Sequence, residues 1–149
     1  MIMIVYELLH TYYVHGGMLY LSPKRLGYYS SLSKVENAIS FYRGLSGFCD
    51  APNGFIVKHW EVSDVIVDDC LYAALIYAHT EDFENYEYDV DLGLFSNGEM
   101  AQKALDLFRT ENTVFLNNPL LEIEYLVEKY IIDKSTGWIE GFTVEPNSN

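Results

Sequence analysis

Apolar and polar positions follow one another in the same order twice along this chain, at a spacing of 66 residues. The clearest match is between residues 26–30, LGYYS, and residues 92–96, LGLFS. Matched apolar positions run without a gap from residues 5–43 to residues 71–109, and they resume after a four-residue insertion. Because the same positions are apolar in both halves, the sequence predicts one structural unit that is built twice.

Each unit is predicted to run strand, strand, helix, strand. Apolar residues of each predicted helix recur at i, i+3, i+4 and i+7, on a stripe that can pack against a sheet. Ser33 is followed three residues later by Glu36, the spacing of a capping box, and Ser96 with Glu99 repeats this spacing. Helices are therefore predicted to begin at these serines. The predicted strands are residues 3–14, 18–29, 55–62, 70–80, 86–95, the second half of 120–132, and 138–144.

The segment 120–132 is open to two interpretations. Its apolar residues Leu120, Ile123 and Val127 fit one face of a helix as well as a strand. The repeat favours a strand over the second half, because that half aligns with the predicted strand 55–62. Residues 138–144 have no counterpart in the first unit and are predicted to add one more strand.

One such unit is too small to bury both a sheet and a helix well, so two units are expected to pair. The predicted fold is α+β: a single domain of two tandem ββαβ units, packed about a pseudo-twofold axis, with helices on one side of an antiparallel sheet. The first unit comprises residues 1–63, and the second, with its extra strand, comprises residues 64–149.

The apolar runs of this chain are far shorter than the roughly 20 residues that a membrane helix needs. Its first residues lack the basic start of a signal peptide and are interpreted as a strand, so a cytoplasmic location is expected. Cys49 and Cys70 are then predicted to be reduced thiols.

The net charge of −13 is unequally divided along the chain. Residues 1–63 hold five Lys/Arg against four Asp/Glu, whereas residues 64–149 hold four against eighteen. An acidic surface repels nucleic-acid phosphates and anionic lipids and attracts a basic protein. The expected partner is therefore a basic protein, with no nucleic acid and no membrane. Alternatively, the acidity serves only to keep the protein in solution.

No recognisable motif for catalysis or metal binding accompanies the repeat. The four histidines lack the spacing of a metal centre, and no nucleophile motif or phosphate-binding glycine loop is present in the sequence. Paired carboxylates such as Glu122 and Glu124 are interpreted as solvated strand positions. No catalytic residue, metal ligand or cofactor is predicted, and the protein is expected not to be an enzyme.

The strongest candidate for function is the predicted hairpin 81–91, in which six carboxylates alternate with three aromatic residues. Aromatic side chains provide large rigid contact area and carboxylates pair with Arg and Lys, a combination suited to a protein interface. The alternative is a solvated hairpin whose aromatic residues turn inward. The predicted partner-binding residues are Glu81, Asp82, Phe83, Glu84, Tyr86, Glu87, Tyr88, Asp89 and Asp91, with Glu99 and Asp106 from the following helix.

Residues 24–31, KRLGYYSS, the helix after them, and the GF pairs at 47–48 and 54–55 resemble a family of small uncharacterised bacterial proteins. Those proteins have the order KxIGxYSS, helix, PGF, DGF, and they close with W-x-EGF. The closing element resembles residues 138–142, which follow the second unit here, so the motif is split across the duplication. The resemblance covers roughly residues 4–62; the second unit lacks the PGF and DGF turns.

This resemblance implies no catalytic residues and suggests an immunity or accessory protein of a bacterial toxin system. Such a protein would block a basic toxin domain by occlusion. Two other functions are left open. One is a structural or regulatory homo-oligomer that self-associates through strand edges or residues 138–144. The other is a small-molecule-binding protein or enzyme with a cleft between the repeats.

Overall fold

A computed structural model describes residues 2–12, 23–80, 87–113, 117, 119, 121–135 and 137–143. These residues form an α+β fold with two three-stranded antiparallel sheets and two α-helices. Neither of these helices is long and apolar enough to cross a membrane. The elements are β1 (Ile2–His10), β2 (Lys24–Tyr29), α1 (Leu32–Arg43), a short 3₁₀ helix (Phe48–Asp50), β3 (Phe55–Ser63), β4 (Cys70–Thr80), β5 (Glu87–Phe95), α2 (Gly98–Glu111) and β6 (Leu121–Ile131).

The two sheets have the same strand order, with the first strand of each repeat in the centre: β2-β1-β3 and β5-β4-β6. The predicted order strand, strand, helix, strand is confirmed in both repeats. The ambiguous segment is a strand over 11 residues, because its antiparallel register with β4 continues from Cys70 opposite Ile131 to Thr80 opposite Leu121. The end of the predicted strand 3–14 and the start of the predicted strand 18–29 lie outside the described residues.

Both sheets contain a β-bulge at equivalent positions. The register of β1 with β2 shifts directly after Leu8, which lies opposite Gly27. The register of β4 with β5 shifts directly after Ala74, which lies opposite Gly93. Both glycines have positive φ, 127° and 154°, a conformation that other residues rarely adopt. The repeat in the sequence therefore corresponds to a repeated local structure.

The helix starts differ from the prediction. Ser31 and Asn97, rather than Ser33 and Ser96, are the N-cap residues, with extended backbone and side-chain oxygens 3.3 and 2.9 Å from the backbone N–H three residues later. A capping side chain needs this extended conformation, and Ser33 already lies inside the first helical turn. The observed caps are again 66 residues apart, so the repeat located them better than the capping-box spacing.

The chain forms two compact units. The amino-terminal unit comprises residues 4–60 and 132–149, and the central unit comprises residues 1–3 and 61–131. Each unit has its own core between its helix and one face of its sheet. The buried core residues are Leu8, Leu26, Tyr29, Val35, Ala38, Tyr42 and Phe48 in the amino-terminal unit, and Ala74, Ile76, Ala101 and Leu105 in the central unit. The assignment of both units to one domain stays a prediction.

Residues 132–143, which we call the strap, belong to the amino-terminal unit although they follow the second repeat. The strand predicted over 138–144 is wrong for its described part, because residues 137–140 form turns and 141–143 have no regular structure. The Phe142 ring lies 4.8 Å from the Phe48 ring at 89°, and the Phe142 N–H donates to the Ser46 carbonyl at 2.9 Å. The W-x-EGF-like element therefore packs against the repeat that carries the rest of its motif.

Candidate functional site

The structure places the predicted binding residues in three groups. Glu81, Asp82, Phe83, Glu84 and Tyr86 lie outside the described residues, whereas Glu87, Tyr88, Asp89 and Asp91 belong to β5. Glu99 and Asp106 are exposed residues of α2.

Acidic residues of β5 and β6 occupy register positions on both sides of the central strand β4. His79 is opposite Glu87 on one side and Glu122 on the other. Tyr77 is likewise opposite Asp89 and Glu124. Residues directly opposite one another belong to the same face of an antiparallel sheet. We call these two cross-strand sets the acidic rows.

The acidic rows lie on the sheet face opposite α2. The helix packs over the core that includes Ala74 and Ile76, whereas Tyr77 and His79 alternate with these residues along the strand. Both Glu122 and Glu124 are exposed. The Glu122 Oε2 atom lies 3.8 Å from the His79 Nε2 atom. The rows thus combine the solvated carboxylates of β6 with the partly exposed side chains of Tyr77 and His79.

The structure does not bring Glu99 and Asp106 together with the acidic rows. Both residues project from α2, which covers the other face of the sheet, and Asp106 accepts a hydrogen bond from Gln102 at 3.1 Å. The helix carboxylates and the acidic rows are therefore separate surfaces of the central unit.

The division into units sharpens the charge asymmetry. The amino-terminal unit holds six Lys/Arg and six Asp/Glu, whereas the central unit holds three Lys/Arg and sixteen Asp/Glu. The central unit therefore carries the whole net charge of −13. Charge of one sign concentrated on one unit produces a field that attracts cationic ligands.

Sequence reasoning named β5 but missed β6 as a part of this surface. It treated Glu122 and Glu124 as solvated positions, which is correct for their exposure. The signal that could have found them is that Glu122, Glu124 and the more covered Glu128 all occupy even-numbered positions, which share one face of a strand. That spacing becomes informative only when the register with Tyr77 and His79 is known.

The amino-terminal unit contains a buried basic corner formed by His10 and Lys24, which are register partners. The His10 Nε2–H donates to the Ala51 carbonyl at 2.9 Å, while no described residue forms a hydrogen bond with its Nδ1 atom. The Lys24 Nζ atom lies 4.0 Å from the centre of the Phe142 ring and 5.1 Å from that of Trp138. Aromatic faces can stabilise a cation in this way.

Burial is the main cause that lowers the pKa of both basic groups in this corner. For His10, the charge of Lys24 lowers the pKa further and the hydrogen bond to Ala51 raises it. For Lys24, which is only 9% exposed, desolvation of the ammonium group lowers the pKa. The corner therefore favours a neutral imidazole beside an ammonium group that the strap covers.

A second buried charge, Glu7, is fully satisfied within the amino-terminal unit. Its carboxylate accepts hydrogen bonds from Arg25 Nε at 2.7 Å, Trp60 Nε1 at 3.0 Å and the Tyr28 hydroxyl at 3.3 Å. Because β1, β2 and β3 each contribute to this cluster, it ties the three strands of the sheet together. We interpret it as structural.

A shallow cavity of about 420 Å³ lies beside α1, where Asp133 fixes the strap. The Asp133 carboxylate accepts three hydrogen bonds. The donors are the backbone N–H of Ser30 at 2.8 Å, the hydroxyl of Ser30 at 2.7 Å and the Nζ of Lys34 at 2.8 Å. Burial raises the pKa of Asp133, but these bonds outweigh it and lower the pKa overall. The cavity is lined by Tyr29, Lys34, Asn37, Ala38, Phe41, Asp133 and Ser135.

Within the described ranges, no group of three His, Cys, Asp or Glu side chains is placed to hold a metal ion. Comparisons with protein-family models, curated proteins and solved structures found no match to this chain. The resemblance of residues 4–62 to a family of small bacterial proteins therefore stays a prediction. The functional inference rests on the charges and the strand register of the central unit.

Proposed function

We propose that this protein is a non-enzymatic, immunity-type binding protein that blocks a basic protein, such as a bacterial toxin domain, by occlusion. The observation that carries the proposal is the convergence of acidic residues from β5 and β6 on one sheet face, in the unit that holds the entire net charge. Carboxylates in this arrangement match a basic surface better than an anionic one.

The proposed mechanism has two parts. Long-range attraction by the sixteen carboxylates of the central unit raises the rate of encounter with a basic partner, and salt reduces this effect. Short-range contacts then hold the complex. We assign these contacts to the acidic rows and to the aromatic residues Phe83, Tyr86 and Tyr88 of the predicted hairpin, since buried aromatic anchors dominate many interfaces. The blocked partner loses access to its own target by steric exclusion.

The proposal also includes a bacterial cytoplasmic location and a pseudo-twofold arrangement of the two repeats. The resemblance of residues 24–31 and 138–142 to bacterial proteins supports the first. The matched bulges at Gly27 and Gly93 support a common origin of the repeats.

Affinity capture tests the proposal. The tagged protein is incubated with lysate of its native host at low and high salt, and bound proteins are identified by mass spectrometry. We expect one basic partner that is retained at low salt and lost at high salt. The triple variant E84Q/E87Q/D89N should lose it, whereas E36Q/D50N/E140Q, which neutralises three exposed carboxylates of the amino-terminal unit, should retain it. Recovery of the same partner with both variants would contradict the proposal.

Self-association is the second candidate function. The strap exposes Trp138 and Ile139, at 47% and 51%, which is a large apolar surface for two adjacent residues. Sedimentation velocity over a hundredfold range of concentration tests this candidate. A size that increases with concentration, and that W138A abolishes, would favour the homo-oligomer over the immunity-type protein.

A further inference from the structure

The central sheet ends in two edge strands that differ in regularity. Within the described part of the chain, β5 and β6 each pair only with β4. The edge formed by β5 is bent by the bulge at Gly93. By contrast, β6 keeps an unbroken register over its 11 residues and contains neither glycine nor proline. A long regular edge presents a row of free backbone N–H and C=O groups.

Residues 121–129 of β6 have a different chemistry on each face. Glu122 and Glu124 are exposed on the face of the acidic rows. On the other face, Ile123, Tyr125 and Val127 are only partly buried and pack at the margin of the core under α2. The strand therefore offers carboxylates and apolar side chains at alternate positions, beside an open hydrogen-bonding edge.

We propose that this edge binds an extended segment of the basic partner as an added β-strand, in which basic and apolar residues alternate. This inference rests on the proposed function and names the recognition element of the partner. The partner's backbone would complete the ladder of β6, as in other complexes formed by strand addition. Its Lys or Arg side chains would lie across from Glu122 and Glu124, and its apolar side chains would extend the core beside Ile123 and Tyr125.

The geometry sets the length of the segment and disfavours a second copy of this chain. Nine residues of strand span roughly 30 Å, which accommodates a partner strand of seven to nine residues. Antiparallel pairing of two β6 edges in a register centred on Tyr125 or Leu126 would place Glu122 or Glu124 across from Glu128 of the other copy. Like charges directly opposite one another destabilise a sheet.

Synthetic peptides test the inference on the full-length protein. The first peptide has nine residues that alternate valine and lysine, with blocked termini. Two further peptides carry N-methyl groups on all lysines or on all valines, which removes the N–H donors along one edge or along the other. A fourth peptide has the same composition with its lysines in one block. Binding is measured by titration calorimetry, and amide hydrogen exchange by NMR locates the bound peptide.

We expect the alternating peptide to bind and to slow the exchange of amides within 121–129. Only one of the two N-methylated peptides should bind, because only one edge of the peptide faces β6. The block peptide should bind more weakly. The variant E122Q/E124Q should weaken binding by roughly two- to thirty-fold, the range for two exposed ion pairs, whereas E36Q/E140Q should leave it unchanged.

Three outcomes would overturn the inference. Equal binding of all four peptides would mean that charge alone attracts the partner, which leaves the proposed function standing. Absence of binding by the alternating peptide would exclude the edge as the recognition element. Protection of the β6 amides by dimerisation, without any peptide, would assign the edge to a second copy. The proposed function is tested separately, by the capture experiment, so the two failures are distinguishable.

Discussion

Replacing Asp133 by asparagine should weaken the attachment of the strap to the start of α1 without disturbing the backbone. Asp133 has a φ of 65°, in the left-handed region that asparagine adopts more readily than most residues. The substitution keeps the size and shape of the side chain. It removes the charge that accepts hydrogen bonds from Ser30 and Lys34.

The expected loss of stability is about 1–2 kcal/mol. A hydrogen bond to a charged group contributes about 1.5–3 kcal/mol, and an exposed ion pair contributes about 0–1 kcal/mol. The Asp133 side chain is 28% exposed and that of Lys34 is 53% exposed, so the Lys34 interaction belongs to the weak class. The asparagine oxygen can keep one hydrogen bond to Ser30. The expected loss of stability therefore lies near the lower end of the range for a hydrogen bond to a charged group.

The pH dependence of the free energy of unfolding is a second test of the role of the Asp133 carboxylate. Since the pKa of folded Asp133 is lowered from 3.8, its contribution is complete above that value and is lost as the pH falls through the lowered pKa. The wild type and D133N should therefore differ at pH 7 and converge in strong acid. Urea unfolding monitored by tryptophan emission measures both quantities, because Trp138 lies on the strap.

Asp50→Asn is a matched control, because this carboxylate is exposed and belongs to the same unit. It should leave the free energy of unfolding within about 0.5 kcal/mol of the wild type, as is usual for surface substitutions. If D133N is as stable as D50N at pH 7, or if its deficit persists unchanged in acid, the carboxylate of Asp133 does not hold the strap.

Three further predictions concern the amino-terminal unit. Glu7→Gln should destabilise the protein by about 3 kcal/mol in urea unfolding, because it leaves buried donors without their charged acceptor; a loss below 1 kcal/mol would contradict this. Gly27→Ala should be destabilising by about 1–3 kcal/mol, since its φ is 127° and the new Cβ would lie 2.9 Å from a tyrosine oxygen, whereas Gly44→Ala, with φ of −83°, should be neutral. Burial raises the pKa of Tyr42 to about 12, so stability should fall as the pH rises from 10 towards 12. A phenolate signal near pH 10 that Y42F removes from the folded protein would contradict that assignment.

Local patterns in the sequence were sufficient for the repeated part of the fold. The repeated order of apolar segments located β4 at its observed ends, Cys70–Thr80, and the 66-residue repeat favoured a strand for β6 against a competing helical pattern. The helix caps were misplaced because Ser33 and Ser96 each have a glutamate three residues later, whereas the observed caps are set by the extended backbone of neighbouring residues. Capping depends on φ and ψ where the preceding strand ends.

The remaining differences arise from contacts between distant parts of the chain. The strap is apolar enough to resemble a strand, but its hydrogen bonds run to Tyr28, Tyr42 and Ser46, about a hundred residues earlier. The contribution of β6 to the acidic rows depends on its register with β4, which no local pattern specifies. For the same reason, the sequence predicted an acidic segment at 81–91 but not the acidic residues of β6, on the other side of β4.

The measurement that tests the central claim most directly is the association rate of the captured basic partner with this protein, followed by stopped-flow fluorescence at two salt concentrations. The account predicts that E84Q/E87Q/D89N slows association roughly tenfold at low salt and flattens its salt dependence, with an unchanged circular dichroism spectrum. The control E36Q/D50N/E140Q should associate at the wild-type rate. Identical association rates and salt dependence for both variants and the wild type would show that the acidic surface of the central unit does not recognise the partner.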